Sequence, residues 1–216
     1  MPEATARTVL LTGFGPFPGI AVNASALLVA RVVKRARRRW PDVTFNTALL
    51  ATEWERGPRR LSRLLAKLQP DVAIHFGVAT RAKGFEIETR ATNTCAASPD
   101  AAGRLPASRK GDAHGPATRR ANLPVAAILE ALAAADIPVS HSDDAGEYLC
   151  NRVLYASLAD CKTARARRAG FIHIPACLAG GGNDGRAALA GCPLDWPQAI
   201  DGALAIIATT LAAFRP

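Results

Sequence analysis

Short β-branched or apolar runs alternate with longer helical patterns from one end of this chain to the other, and few folds accommodate that rhythm. Residues 8–12 read as a first strand, stopped by Gly13, Gly15, Pro16, Pro18 and Gly19. Asn23 or Ser25 can cap a helix to about Arg38, because their side-chain oxygens accept from the first free backbone N–H groups. A strand at 43–50, a helix at 55–68 and an apolar strand at 72–76 follow. Residues 85–92 alternate apolar and polar side chains, the pattern of a half-exposed strand. A long segment rich in Gly, Pro, Ala, Ser and charge, 94–121, reads as a functional or arm-like loop. Beyond it come a helix (123–135), a strand (137–140), a helix after Gly146, a strand (170–174), a glycine-rich loop (180–182) and a last helix (197–214). Strands alternating with helices predict a largely parallel twisted sheet covered on both faces, a three-layer α/β/α sandwich. No internal repeat and no linker of shifted composition interrupts the pattern, so residues 1–216 read as a single domain.

Composition narrows the function. With 49% hydrophobic and 21% charged residues the chain has ordinary globular chemistry, which excludes wholesale disorder. No apolar run approaches the ~20 residues of a membrane span. The first eight residues lack the apolar core of a secretion signal, so a cytoplasmic location is expected. Lys+Arg 27 against Asp+Glu 18 gives a net charge of +9, concentrated in clumps at 34–39, 56–63 and 165–168. Each clump falls in or at the end of a predicted helix, where cations solvate an outer face. Aromatics are 6% and are not interleaved with the basic runs, so nucleic acid is not the expected partner. The 5 cysteines, Cys95, Cys150, Cys161, Cys177 and Cys192, are odd in number and scattered, with no C-x-x-C pair. That argues against a disulfide framework or a zinc site and for a reducing compartment.

Three side chains carry chemistry. Cys150 follows Gly146, which permits a sharp turn, and opens a helix-compatible run to Leu158. A thiol in the first turn of a helix meets unpaired N–H groups and the positive end of the dipole, which favour the thiolate. His173 closes a short strand just before Pro175, and the carboxyl ends of parallel strands form the binding crevice of open α/β sheets. Glu88 shares a strand face with Glu86 and Arg90, a spacing that alone reads as an exposed ion-pair ladder. Likewise, His173 alone reads as a structural histidine. Taken together the three make a nucleophile, base and orienting carboxylate.

The motifs around these residues resemble the pyroglutamyl peptidase I family (pyrrolidone-carboxylate peptidases). Leu11-Thr12-Gly13-Phe14-Gly15-Pro16-Phe17-Pro18-Gly19 is similar to its T-G-F-x-P-F-G-G, with Asn23-Ala24-Ser25 standing for N-P-S. Gly77-Val78-Ala79 through Ile87-Glu88, Ala91 and Asn93 keeps the spacing of G-x-A…E-R-x-A-x-N, and Leu123-Pro124-Val125 matches L-P-[VI]. Ala145-Gly146, Tyr148-Leu149-Cys150-Asn151 and Tyr155 match A-G-x-[YF]-[LV]-C-N…Y, and Gly170-Phe171-Ile172-His173-Ile174-Pro175 matches G-F-I-H-[VI]-P. The resemblance implies a cofactor-free, metal-free cysteine exopeptidase of the cytoplasm, a homo-oligomer (dimer or tetramer), acting on small peptides with an N-terminal pyroglutamate. It implies Cys150 as nucleophile, His173 as base and then acid, Glu88 as the group orienting His173, and Phe14, Phe17, Val78, Tyr148 and Leu149 as substrate contacts. Two other readings stay open: a related thiol amidohydrolase for another cyclic or small N-terminal acyl group, and a basic polyanion-binding protein.

The chain also departs from the family pattern. Ala96-Ala97-Ser98-Pro99-Asp100-Ala101 stands where the family has A-R-I-P-D-N, so the arginine near the reacting carbonyl is missing. Thr89 replaces the arginine after the glutamate, Thr80-Arg81-Ala82 replaces Gly-Gly-Arg, and Asp144 occupies a position the family fills with a small uncharged residue. Arg81 and Arg90 are the arginines nearest in sequence that could take over the missing one.

Overall fold

The computed structural model describes residues 7–163, 167–180 and 187–214, the side chains of 162 and 163 excepted. Residues 1–6 of the amino-terminal stretch, 165 and 166 of the third basic clump, and 181 and 182 of the predicted glycine-rich loop lie outside the described residues.

Six strands form the main sheet: β1 (Thr8–Phe14), β2 (Thr44–Leu50), β3 (Val72–Ala79), β4 (Phe85–Glu88), β7 (Val139–Ser142) and β8 (Arg168–Pro175), in the order β2-β1-β3-β8-β4-β7. All neighbours are parallel except β4 and β8, which run antiparallel. The central strands are covered on both sides, which is why they read as continuous apolar runs. Val9, Leu11, Ile74, Phe76, Ile172 and Ile174 face one hydrophobic cluster, and Leu10, Ala73, Ala169 and Phe171 face the other.

Helices α1 (Ala24–Arg39), α3 (Val125–Ala133) and α5 (Trp196–Ala212) cover the first face; α2 (Arg56–Leu68) and α4 (Leu149–Thr163) cover the second. Helix α1 starts where the Asn23 side chain accepts from Ser25 N and turns Leu28, Val29, Val32 and Ala36 inward at helical spacing. Its last turn carries Arg37, Arg38 and Arg39, favourable at a helix's negative end. Helix α2 buries Leu61 and Leu65 and leaves Arg56, Arg59, Arg60 and Arg63 in solvent, as expected for a basic clump on an outer face. Helix α5 opens on a capping box between Asp195 and Gln198.

Two expectations are corrected. The strand expected over residues 85–92 breaks at Thr89. Its amide and hydroxyl both donate to Ser142 O, and the chain then leaves the main sheet as β5 (Arg90–Thr92) to pair with β6 (Thr118–Arg120). The partner strand, β6, lies inside the segment expected to be loop. The cysteine arithmetic also misses a bond: Cys177 and Cys192 form a disulfide, with Cα atoms 5.6 Å apart. Cys177 sits in a 3-10 helix, Ala176–Ala179, directly after β8, and Leu189 N bonds its carbonyl at 2.8 Å, bringing the second thiol back alongside.

Candidate active site

One row across the sheet explains the site. Antiparallel pairing sets His173 opposite Glu86, and parallel pairing on its other side sets it opposite Gly77. Residues directly opposite share a face, so Glu86, Glu88, Phe171, His173 and Gly77 all point toward the α4 side. Gly77 contributes no side chain, and the space above it is filled by Cys150: a methyl carbon on Gly77 would lie 3.1 Å from the Cys150 Sγ.

Cys150 arrives there from above as the second residue of α4. Gly146, at φ 74°, makes the turn into the helix. Asn151, buried beside it, receives Thr92 N (2.8 Å) and donates to the carbonyls of Thr92 (2.9 Å) and Thr94 (3.1 Å), pinning the first turn of α4 to β5. One turn further, the Tyr155 hydroxyl donates to Pro116 O at 2.7 Å. The backbone N–H of Cys150 lies in the first helical turn and has no acceptor within the helix.

The histidine is nearly enclosed, at 7% exposure, and Glu88 is at 1%. His173 Nδ1 lies 2.7 Å from Glu88 Oε1, and the Cys150 thiol hydrogen-bonds the ring, leaving Nε2 as the nitrogen that meets sulfur. Burial works against a charged imidazole, but the Cys150 thiolate, its hydrogen bond and the Glu88 carboxylate outweigh it and lift the His173 pKa to about 10. The exposed ion-pair ladder that Glu88 suggests by itself does not form. Glu88 turns into the covered face, while Arg90, past the break, donates to Asp143 O at 2.9 Å.

Above this row opens a cavity of about 380 Å³. Phe14, Phe17, Val78, Tyr148 and Leu149 all line it, together with Cys150 and His173. Phe14 is placed by Ser25 Oγ, which accepts its backbone N–H at 3.0 Å, and Asn23 donates to Gly15 O at 3.0 Å to hold the turn. Tyr148 stands edge-on to Trp54 (5.1 Å between rings) and donates to Pro99 O at 3.0 Å. The departing segment around Ala97 is thereby tied down: Trp54 Nε1 donates to Ser98 O, and the buried Asp100 carboxylate accepts from the backbones of Trp54, Ala102 and Arg104.

Sequence reasoning does not single out Thr52, which also lines the cavity; no local pattern marks it. Of the two arginines offered as replacements, Arg90 is engaged with Asp143, whereas Arg81 lines the cavity. Asp144 caps its own turn, its carboxylate accepting from Gly146 N at 3.0 Å. Cys95 and Cys161 sit away from the cavity, and burial raises both thiol pKa values, that of Cys161 to about 11.

The arrangement can take a proton from a thiol, hold the resulting imidazolium against a buried carboxylate, and present the sulfur to an uncharged group in a largely apolar cavity. Comparison with known proteins agrees with that chemistry. The family model described as pyroglutamyl peptidase matches residues 7–184. A pyrrolidone-carboxylate peptidase of Chromobacterium violaceum is 38% identical over 174 residues, covering 78% of each chain. Pyrrolidone-carboxylate peptidase 1 of Ralstonia nicotianae is 39% identical over 170 residues, again 78% of each. Among solved structures, pyroglutamyl peptidase I of Bacillus amyloliquefaciens superposes with a TM-score of 0.79 at 30% identity, over 96% of this chain and 97% of that one. A mutant pyrrolidone carboxyl peptidase of Pyrococcus furiosus gives 0.82 at 26% identity, over 96% and 100%.

Proposed function

The chain belongs to the pyroglutamyl peptidase family, and on that premise we propose that it removes N-terminal pyroglutamate by a Cys150–His173–Glu88 triad. His173 Nε2 takes the thiol proton, and the sulfur attacks the carbonyl carbon of the pyroglutamyl residue. Charge moves to the carbonyl oxygen, toward the free N–H of Cys150 at the positive end of α4. The C–N bond then breaks, and the imidazolium gives its proton to the departing amine. Water, deprotonated by the same ring, cleaves the thioester and releases pyroglutamate. Glu88 accepts the Nδ1 proton's hydrogen bond throughout, holding the ring in the tautomer that aims Nε2 at sulfur.

The observation that carries this reading is the hydrogen-bonded file from Glu88 through His173 to Cys150 on the floor of a cavity walled by Phe14. The lactam ring is flat and uncharged, which suits the aromatic wall. An ordinary N-terminus would bring an ammonium that nothing on the apolar wall compensates. Val78, Tyr148, Leu149 and Phe17 complete the substrate contacts. The proposal extends to one catalytic domain over residues 1–216, working in the cytoplasm as a homo-oligomer.

The test is hydrolysis of a pyroglutamyl-linked fluorogenic amide. Cys150→Ala abolishes turnover while the fold survives, and iodoacetamide at neutral pH labels Cys150 ahead of Cys95 and Cys161, whose burial keeps them protonated. Labelling led by Cys95 or Cys161, with activity retained, would refute the assignment.

A further inference from the structure

Glu86 is the one acidic residue of the central row that the reaction above does not use. It sits directly opposite His173 on β4, two residues before Glu88 and on the same face. One ligand atom from each of Glu86, Glu88 and His173 lies within 4.8 Å of the other two. Glu86 is half-buried and has no hydrogen-bond or ion-pair partner among the described residues. Glu88 is 1% exposed, and its second oxygen, Oε2, is buried with no hydrogen-bond partner among the described residues. A buried, orphaned carboxylate oxygen with a second carboxylate beside it calls for a positive charge that His173 satisfies on one side alone.

We propose that Glu86, Glu88 and His173 form an inhibitory site for a divalent cation of the zinc class. One imidazole nitrogen and two carboxylate oxygens are a donor set that zinc accepts, with a fourth position open to water. Zinc–ligand distances of about 2.0–2.2 Å hold ligand atoms closer together than 4.8 Å, so side-chain rotation of the half-buried Glu86 closes the site. The metal takes the lone pair of His173 Nδ1, so the ring's single proton shifts by exchange with solvent from Nδ1 to Nε2, and Glu88 turns from the ring to the metal. With its far nitrogen metallated, His173 no longer accepts the Cys150 proton as a base, and turnover stops. The metal plays no part in the peptidase reaction itself. The consequence for activity rests on the triad proposed above; the binding does not.

Zinc chloride alone is the probe, in buffer free of chelators and reductants. Reversible inhibition is expected, relieved by EDTA. Glu86→Gln, which leaves the proposed triad and the cavity wall intact, keeps the basal rate and requires at least about tenfold more zinc for the same inhibition. Calorimetric titration of zinc into Cys150→Ala tests binding independently of any activity and of the thiol. One site is expected there, weakened about tenfold or more when Glu86→Gln is added. Equal zinc sensitivity in Glu86→Gln and the parent, or zinc binding to Cys150→Ala that is absent or indifferent to Glu86→Gln, overturns the proposal. If the chain fails to hydrolyse the pyroglutamyl amide but the titration behaves as expected, the metal site stands and the triad reading falls.

Discussion

Replacing Gly77 with alanine adds a single methyl group at the most crowded point of the site. Its carbon would fall 2.5 Å from Phe171 Cζ, 2.8 Å from Cε1 and 3.1 Å from the Cys150 Sγ. Carbon pairs rest at about 3.5–4.0 Å, so the phenyl ring has to withdraw by about 1 Å. It has nowhere empty to go: Phe171 is fully buried, with the rings of His173, Phe14 and His75 at 4.9, 6.0 and 6.5 Å. Overpacking of this kind costs about 1–3 kcal/mol. The displaced ring leans on His173 while the methyl presses on sulfur, and a misplacement of about 1 Å in reacting groups lowers rates about 10²-fold. Urea unfolding should therefore show a reduced midpoint, and hydrolysis of the fluorogenic amide a kcat down about a hundredfold. Gly15→Ala is the control, since its methyl would find nothing nearer than Leu50 O at 3.8 Å, and it should resemble the parent in both assays. A Gly77→Ala protein with the parent's midpoint and kcat would refute the argument that this glycine makes room for the thiol.

Arg81→Ala should lower kcat about 10²–10³-fold with little change in KM if its guanidinium serves as the second oxyanion donor in place of the absent arginine. A raised KM at unchanged kcat would make Arg81 a ground-state anchor instead. His75 is buried between Thr12 (2.7 Å) and Ser157 (2.9 Å), and burial lowers its pKa from 6.5 to about 3. The unfolded chain takes up that proton below about pH 6.5 while the folded one resists until about 3. Stability is therefore fully present above pH 6.5 and falls by about 1.4 kcal/mol per pH unit below it. In His75→Gln, denaturant midpoints between pH 6.5 and 4 should flatten by that slope, and an unchanged slope would exonerate His75. Finally, thiol titration of unreduced, denatured protein should count three thiols, rising to five after reduction, and Cys192→Ser should cost about 3 kcal/mol for the 15-residue loop it opens. Five thiols without reductant would mean the bond does not form.

The order of strands and helices was readable because apolar runs and helical stripes report burial directly, and the three-layer fold followed from them. Glu88 shows where that reasoning fails. Alternation in Phe85-Glu86-Ile87-Glu88 says that one face is polar, and a polar face ordinarily means solvent, yet this face packs under α4 against His173. A buried carboxylate and an exposed one look alike in a pattern of two. The break at Thr89 was hidden for a related reason: Thr suits a strand, and what stops it is a bond to Ser142, fifty-three residues away. The Cys177–Cys192 pairing was invisible because it depends on a chain reversal after β8, not on cysteine spacing. Arg81 could be named as a candidate but not chosen over Arg90, since the choice turns on Asp143 capturing one of them.

The strand at the middle of the sheet, β8, is the last of the six sheet strands to be synthesised. Until it is inserted, β3 has no neighbour on one side and the reversed pair β4–β7 has nothing to join. A ribosome that has just finished α4 has already delivered Cys150 and Glu88, but the imidazole that would connect them is still unmade. Chemical competence and topological closure thus come in a single event. Under the triad proposed above, a nascent or partly opened chain holds the Cys150 thiol without its base.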